Sequence, residues 1–125
     1  MFGQIKAFSG FSVNDLEKAK AFYADILGLE VSQTHEMPVL HLHIHGGHDV
    51  IVYEKPDHQP ATFKVLNFPV ANIEETVRAL KTKGVEFESY DLPGLKTDTV
   101  DIMRGNGPTI AWFTDPAGNI LSVIE

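Results

Sequence analysis

At 125 residues, with 43% hydrophobic and 22% charged side chains, the chain has the size and composition of one soluble globular domain with a real core. A net charge of -7 argues against nucleic acid, which needs clustered cations to neutralise phosphate, and no apolar run approaches the roughly 18 residues of a membrane span. With no cysteine there is neither a disulfide framework nor thiolate chemistry, and residues 1–6 lack the charged and apolar regions of a secretory signal, so a cytoplasmic location is expected.

Residues 5–13 alternate as a strand, with Phe11 and Val13 on one face and Phe8, Gly10 and Ser12 on the other. A helix is predicted over 15–27. Asn14 or Asp15 caps it, Leu16, Ala19, Phe22, Tyr23, Ile26 and Leu27 recur at helical spacing, and Gly28 ends it in a left-handed conformation. A strand over 30–34 follows, then a hairpin of 39–45 and 49–54 around Gly46-Gly47. Residues 55–61, with Pro56 and Pro60, read as a linker.

The second half runs in the same order. A strand over 63–70 places Leu66, Phe68 and Val70 on one face, and a helix over 73–83 is capped by Asn72 with Glu75 in capping-box position. Strands are predicted over 85–90, 100–104, 109–114 and 120–124, with an irregular stretch at 91–98 placed to lie over a cleft. The phrase Phe11-Ser12-Val13-Asn14-Asp15-Leu16-Glu17 returns as Phe68-Pro69-Val70-Ala71-Asn72-Ile73-Glu74, and each copy leads through a helix to a glycine, Gly28 or Gly84. A long period present twice means two copies of one supersecondary unit, and a cleft between them is the natural ligand site.

This order, with Asp15-Leu16-Glu17-Lys18-Ala19, Phe22-Tyr23, Ile26-Leu27-Gly28-Leu29 and the closing Phe113-Thr114-Asp115-Pro116-Ala117-Gly118-Asn119, resembles the vicinal oxygen chelate superfamily of glyoxalases, extradiol dioxygenases and bleomycin-resistance proteins. The resemblance implies an α+β fold of two βαβββ modules curling a mixed sheet around a central cavity. They would form a single domain over 1–125, with module one at about 4–55, a linker at 56–61 and module two at about 62–125. It also implies a homodimer, which covers sheet edges. In metal-dependent members the ligands are His, Gln or Glu on the first and last strands of each module. The matching positions here are Phe8, Val52, Val65 and Ser122, none of which suits a divalent ion, so the expectation is no metal and no cofactor. A shift of two at Val52 brings in Glu54 without changing that outcome.

The stripe Leu40-His41-Leu42-His43-Ile44-His45 alternates strictly, so three histidines share one strand face. With Gly46-Gly47 as the turn, His45 pairs with His48, His43 with Val50 and His41 with Val52, which puts the imidazoles on the cavity side with the aligned ligand position. Three readings stay open. The imidazoles are solvated strand residues, or pocket residues that hydrogen-bond or stack on a ligand, or general bases or ligands of a relocated metal.

Asn67 is placed toward the cavity or bonded to a strand neighbour, and Arg104 either clamps an anionic group or makes a surface ion pair. Phe113 is placed toward the cavity and Trp112 toward the helix, while His35 and His58 have no identifiable partners. The expected function is metal-independent binding of a small organic molecule between the modules, as in bleomycin resistance. Its contacts would come from Phe8, Ser12, His41, His43, Val50, Val52, Val65, Asn67, Arg104, Phe113 and Ser122. The alternative is an enzyme (lyase, isomerase or dioxygenase) that uses His41 and His43.

Overall fold

In each half of the chain a strand turns directly into a helix, and a short polar side chain makes the turn. Asp15 leaves the first strand in an extended conformation and accepts a hydrogen bond from Lys18 N at 3.1 Å, and Asn72 does the same for Glu75 N at 3.1 Å. The computed structural model describes residues 1–34, 36–105 and 107–125, and the chain divides into two units, Met1–Gln59 and Pro60–Glu125.

In the first unit a 3-10 turn (Phe2–Gln4) precedes β1 (Ser9–Val13), α1 (Leu16–Lys20), β2 (Glu30–Thr34), β3 (Val39–His43) and β4 (Val50–Glu54). β1 is shorter than the predicted strand, so Phe8 lies outside it and is 68% exposed. α1 passes without interruption into a π-helical segment, Ala21–Ile26, where Leu27 N donates to Phe22 O at 2.9 Å. Phe22 and Tyr23 are both buried there, edge to face with centroids 5.1 Å apart, and Tyr23 also leans on Phe11 at 5.9 Å. The sheet order is β1-β4-β3-β2, with β1 parallel to β4 and the remaining pairs antiparallel. Phe11, Val13, Leu40, Leu42, Val50 and Val52 line the packed face of this sheet, and all are buried.

The second unit contains β5 (Lys64–Pro69), α2 (Ile73–Thr82), the short pair β6 (Asp91–Leu92) and β7 (Leu95–Lys96), then β8 (Ile110–Thr114) and β9 (Ile120–Ile124). Its sheet order is β5-β9-β8, with β5 parallel to β9 and β8 antiparallel to β9. The predicted strand over 85–90 is reduced to a bridge between Phe87 and Phe113, flanked by bonds from Glu88 N to Trp112 O and from Thr114 N to Glu86 O. It lies along β8 as β2 lies along β3. The predicted strand over 100–104 is likewise one bridge, Met103 to Ile110, and 91–98 carries the β6–β7 hairpin. Buried Ile73, Val77, Val85, Ile102, Phe113, Leu121 and Val123 form this unit's core.

The loop Asp115-Pro116-Ala117-Gly118-Asn119 is a turn built on one carboxylate. Asp115 Oδ1 accepts from the amides of Ala117 and Asn119 at 2.9 Å, and Oδ2 accepts from Asn119 Nδ2 at 3.0 Å. Gly28 and Gly84, at φ 75 and 88, close the two helices in the left-handed conformation that glycine adopts without steric cost. The structure is thus α+β, with βαβββ order in the first unit and the same order in the second, where the strand after the helix has shrunk to a bridge.

A further correspondence links the units. Leu16 N donates to Glu54 Oε1 at 3.1 Å, and Ile73 N donates to Glu125 Oε1 at 3.4 Å, so a carboxylate at the end of each last strand holds the first turn of each helix. Glu54→Ala is expected to lower unfolding stability by about 1 kcal/mol, and Glu125→Ala by less because its bond is longer. Urea titration measures both, and an unchanged midpoint for Glu54→Ala contradicts the cap.

Candidate functional site

The register of the β3–β4 hairpin decides which side chains join the histidines. Val39 lies opposite Tyr53, Leu40 opposite Val52, His41 opposite Ile51 and Leu42 opposite Val50. This is one residue away from the expected pairing. Gly47 N bonds to Ile44 O within the turn and Gly46 has φ 74, but the strand pairing is symmetric about Gly46 itself, so an odd number of residues separates paired positions where a two-residue turn leaves an even number. A slip of one moves a whole strand's side chains to the other face. Val50 and Val52 therefore belong to the packed face, where Val52 is fully buried, and Ile51 and Tyr53 accompany the histidines. His45 and His48 lie beyond the paired residues.

β1 adds Gly10 beside Ile51 and Ser12 beside Tyr53, so Ser12, His41 and His43 do share a face. Ser12 Oγ lies 2.6 Å from Nδ1 of His58, which gives that linker histidine the partner the sequence did not reveal; His35 falls outside the described residues. β2 contributes hydroxyls, because Ser32 pairs with His41 and Thr34 with Val39.

His43 is hydrogen-bonded at both ring nitrogens and His41 at one. His43 lies 2.9 Å through Nδ1 from Asp49 Oδ1 and 2.8 Å through Nε2 from Ser32 Oγ. His41 lies 3.0 Å through Nε2 from Thr34 Oγ1, and its Nδ1 is 3.6 Å from Asp49 Oδ2. The rings stack at 6.4 Å with an interplanar angle of 16° and are about one-third exposed. A carboxylate only accepts, so Asp49 fixes the proton of neutral His43 on Nδ1 and leaves Nε2 to accept from the Ser32 hydroxyl. Asp49, Ser32 and Thr34 were not singled out from sequence. The strand alternation of Ser32 and Thr34 was the available signal, but it becomes informative only once the β2–β3 register is known.

On the second unit's sheet, Asn67, Ser122 and Trp112 are neighbours on one face, and buried Ser122 donates from Oγ to Asn67 Oδ1 at 2.7 Å. Trp112 and Phe113 exchange the places expected of them. Phe113 lies opposite Leu121, fully buried and 5.4 Å from the Phe87 ring, whereas Trp112 sits edge to face with Tyr90 at 5.4 Å. Pairing with β9 sets that parity, and the preceding loop could not supply it. Val65 sits in a register shift between Lys64 and Leu66, so simple alternation does not fix its face.

Arg104 makes ion pairs, from Nη2 to Glu74 at 2.9 Å and from Nε to Asp98 at 3.0 Å. The bond to Asp98 is the main cause that raises its guanidinium pKa further. Burial pushes the Asp98 carboxyl up, but the amides of Ile102 and Val100 and the Arg104 guanidinium outweigh it and hold the group below its ordinary 3.8. Burial likewise opposes the lowering of Asp101, which Ser89 and Lys81 bring about.

The chain belongs to the Glyoxalase/Bleomycin resistance protein/Dioxygenase superfamily, whose sequence profile matches residues 4–123. A search of curated protein sequences finds no match. Among solved structures it is similar to a glyoxalase family protein from Enterococcus faecalis, at 24% identity and TM-score 0.69 over 100% of both chains. It is similar to a superfamily member from Sphaerobacter thermophilus, at 21% identity and TM-score 0.71 over 100% of this chain and 99% of that one. TnmS3, an antibiotic binding protein from Streptomyces sp. CB03234, matches at 22% identity and TM-score 0.68 over 97% of this chain and 96% of that one. At these identities the likeness carries the fold. No helix among the described residues is long and apolar enough to cross a membrane.

The superfamily's metal does not fit the residues at its positions. Phe8 offers no donor atom, Val52 is sealed in the packed face, Val65 is aliphatic, and the Ser122 hydroxyl is committed to Asn67. No group of three His, Cys, Asp or Glu side chains that could hold an ion occurs among the described residues.

The Asp98 and Asp101 carboxyls lie below their unfolded values, so their contribution to stability is complete above about pH 4. It is lost as pH falls through the folded pKa. Acid titration of unfolding should show a decline below that pH which Asp98→Asn makes shallower; an identical decline in the variant contradicts the assignment.

Proposed function

We propose that this chain binds a small organic molecule without the superfamily's metal, on the histidine-bearing face of its first unit. The observation that carries the reading is the pair of parallel imidazoles, His41 and His43, with Asp49 bonded to His43 and close to His41. Pre-oriented rings on a strand lose little conformational freedom when a ligand arrives, and they lie beside hydroxyl and carboxylate groups. Ser32 and Thr34 add hydroxyls along one side, and Ser12 and Tyr53 extend the face toward β1. That mixture suits a ligand with an unsaturated ring and one or two polar handles. Membership in a superfamily that includes bleomycin resistance proteins, and the likeness in fold to an antibiotic binding protein, favour sequestration of such a molecule. The reading includes a homodimer in the cytoplasm.

A second reading is favoured by one specific arrangement. Asp49, His43 and Ser32 stand in line through the two ring nitrogens at 2.9 and 2.8 Å, which is how a carboxylate orients an imidazole that accepts a proton. In that reading His43 is a general base toward a bound ligand, with Ser32 or the ligand itself as the proton donor.

The test is a thermal-shift screen of small molecules against untagged, chelator-treated protein. The first reading expects hits that bind one per chain in the presence of chelator and weaken about tenfold or more in Asp49→Asn, a loss of roughly 1.4 kcal/mol. Binding that vanishes with chelator and returns with a divalent ion, or that ignores both Asp49→Asn and His43→Ala, contradicts it. Turnover of a hit that is lost in His43→Gln, while binding survives, selects the second reading.

A further inference from the structure

Far from the histidines in sequence, the second unit contains a half-open cavity of about 450 Å³ between α2 and the segment that runs from Val100 to Arg104. Its apolar lining comes from Val77 and Ile102, both buried, and from Val100, which is 46% exposed. Its cationic lining is unusual for this chain. Of ten lysines and arginines against seventeen acids, Arg78, Lys81 and Arg104 all line this cavity, and they include both arginines of the sequence. Glu74 is the one carboxylate in the lining.

The ion pairs show which of these cations is available. Arg104 is held by Glu74 and Asp98, and Lys81 by Asp101 at 2.9 Å and the Val100 carbonyl at 3.2 Å. These two are fixed in place and largely neutralised. Arg78 differs. It stands four residues after Glu74 on α2, the spacing at which a helix normally pairs an acid with a base, but Glu74 is turned to Arg104 instead. No ion pair or side-chain hydrogen bond of the Arg78 guanidinium occurs among the described residues. The opposite wall is formed by backbone held in a costly conformation. Asp101, between Val100 and Ile102, has φ 69, the only positive value outside glycine among the described residues, and its carboxylate is tied down by Ser89 and Lys81.

We infer that this cavity binds a small organic carboxylate, with its apolar body against Val77, Val100 and Ile102 and its charge paired to Arg78. The planar fork of an arginine matches a carboxylate in two parallel hydrogen bonds. Lys81 and Arg104 are balanced by Asp101, Glu74 and Asp98, so Arg78 carries the preference for an anion. The apolar wall has room for a fused ring or a short branched chain. The cavity belongs to the second unit and the histidine face to the first, and the inference does not rest on the function proposed there.

The test uses 2-naphthoate as probe and the full chain, followed by amide and methyl NMR. Saturable shifts are expected at Val77, Val100 and Ile102 and at the Arg78 side chain. Neutral 2-naphthalenemethanol should bind about tenfold or more weakly, the loss of one charge-assisted contact. Arg78→Ala should weaken naphthoate by the same factor, and added salt should weaken it progressively. Val100→Phe, at a half-exposed position, fills the mouth without removing a charge and should also weaken binding. Shifts that map elsewhere, equal affinity for the neutral analogue, or unchanged affinity in Arg78→Ala would overturn the site.

Discussion

In each unit the first strand lies parallel to the last, β1 beside β4 and β5 beside β9, and that pairing constrains everything built on it. A parallel neighbour cannot be reached by a hairpin, so the chain must cross over, and here it does so through a helix followed by antiparallel strands. The helix covers one sheet face, which becomes apolar: Phe11 and Val13 on β1 line up with Val52 and its neighbours, with Tyr23 above them. The glutamates closing the two last strands reach the first amides of the helices because the parallel pairing brings strand end and helix start together.

Once one face is committed to the helix, the other is left for chemistry, and strand parity assigns each side chain to one or the other. Leu40 and Leu42 go to the core, while His41 and His43 go to the opposite face, where β2 hydroxyls and Asp49 meet them. The same logic accounts for the surroundings of two positions where the resemblance places metal ligands. Val52 contributes volume to a close-packed interior, and Ser122 satisfies its hydroxyl with Asn67. The groups on that face are imidazoles and hydroxyls carried on β3 and β2, with Asp49 just ahead of β4.

Much of this was legible in the residues, and the legible parts share a cause. Caps at Asp15 and Asn72, left-handed glycines at 28 and 84, and the carboxylate turn at Asp115 are decided by neighbours within a few positions. The repeat then gave the element order. What the sequence did not disclose depends on partners far along the chain. The hairpin register turned on whether an even or an odd number of residues separates the paired positions, and that one-residue difference sent Val52 to the core. The faces of Trp112 and Phe113 depend on pairing with β9, and Asp49 matters only because β3 returns beside it. Arg104 illustrates the same limit, since its acids, Glu74 and Asp98, come from a helix and a loop.

The central claim is that the imidazoles of β3 face away from the packed side of the first unit's sheet, and the β3–β4 register tests it most directly. Cross-strand nuclear Overhauser contacts in isotope-labelled protein read that register without reference to any ligand. The account predicts backbone contacts that pair His41 with Ile51 and Leu40 with Val52. Contacts that instead pair His41 with Val52 would place the histidines with the core valines and contradict it.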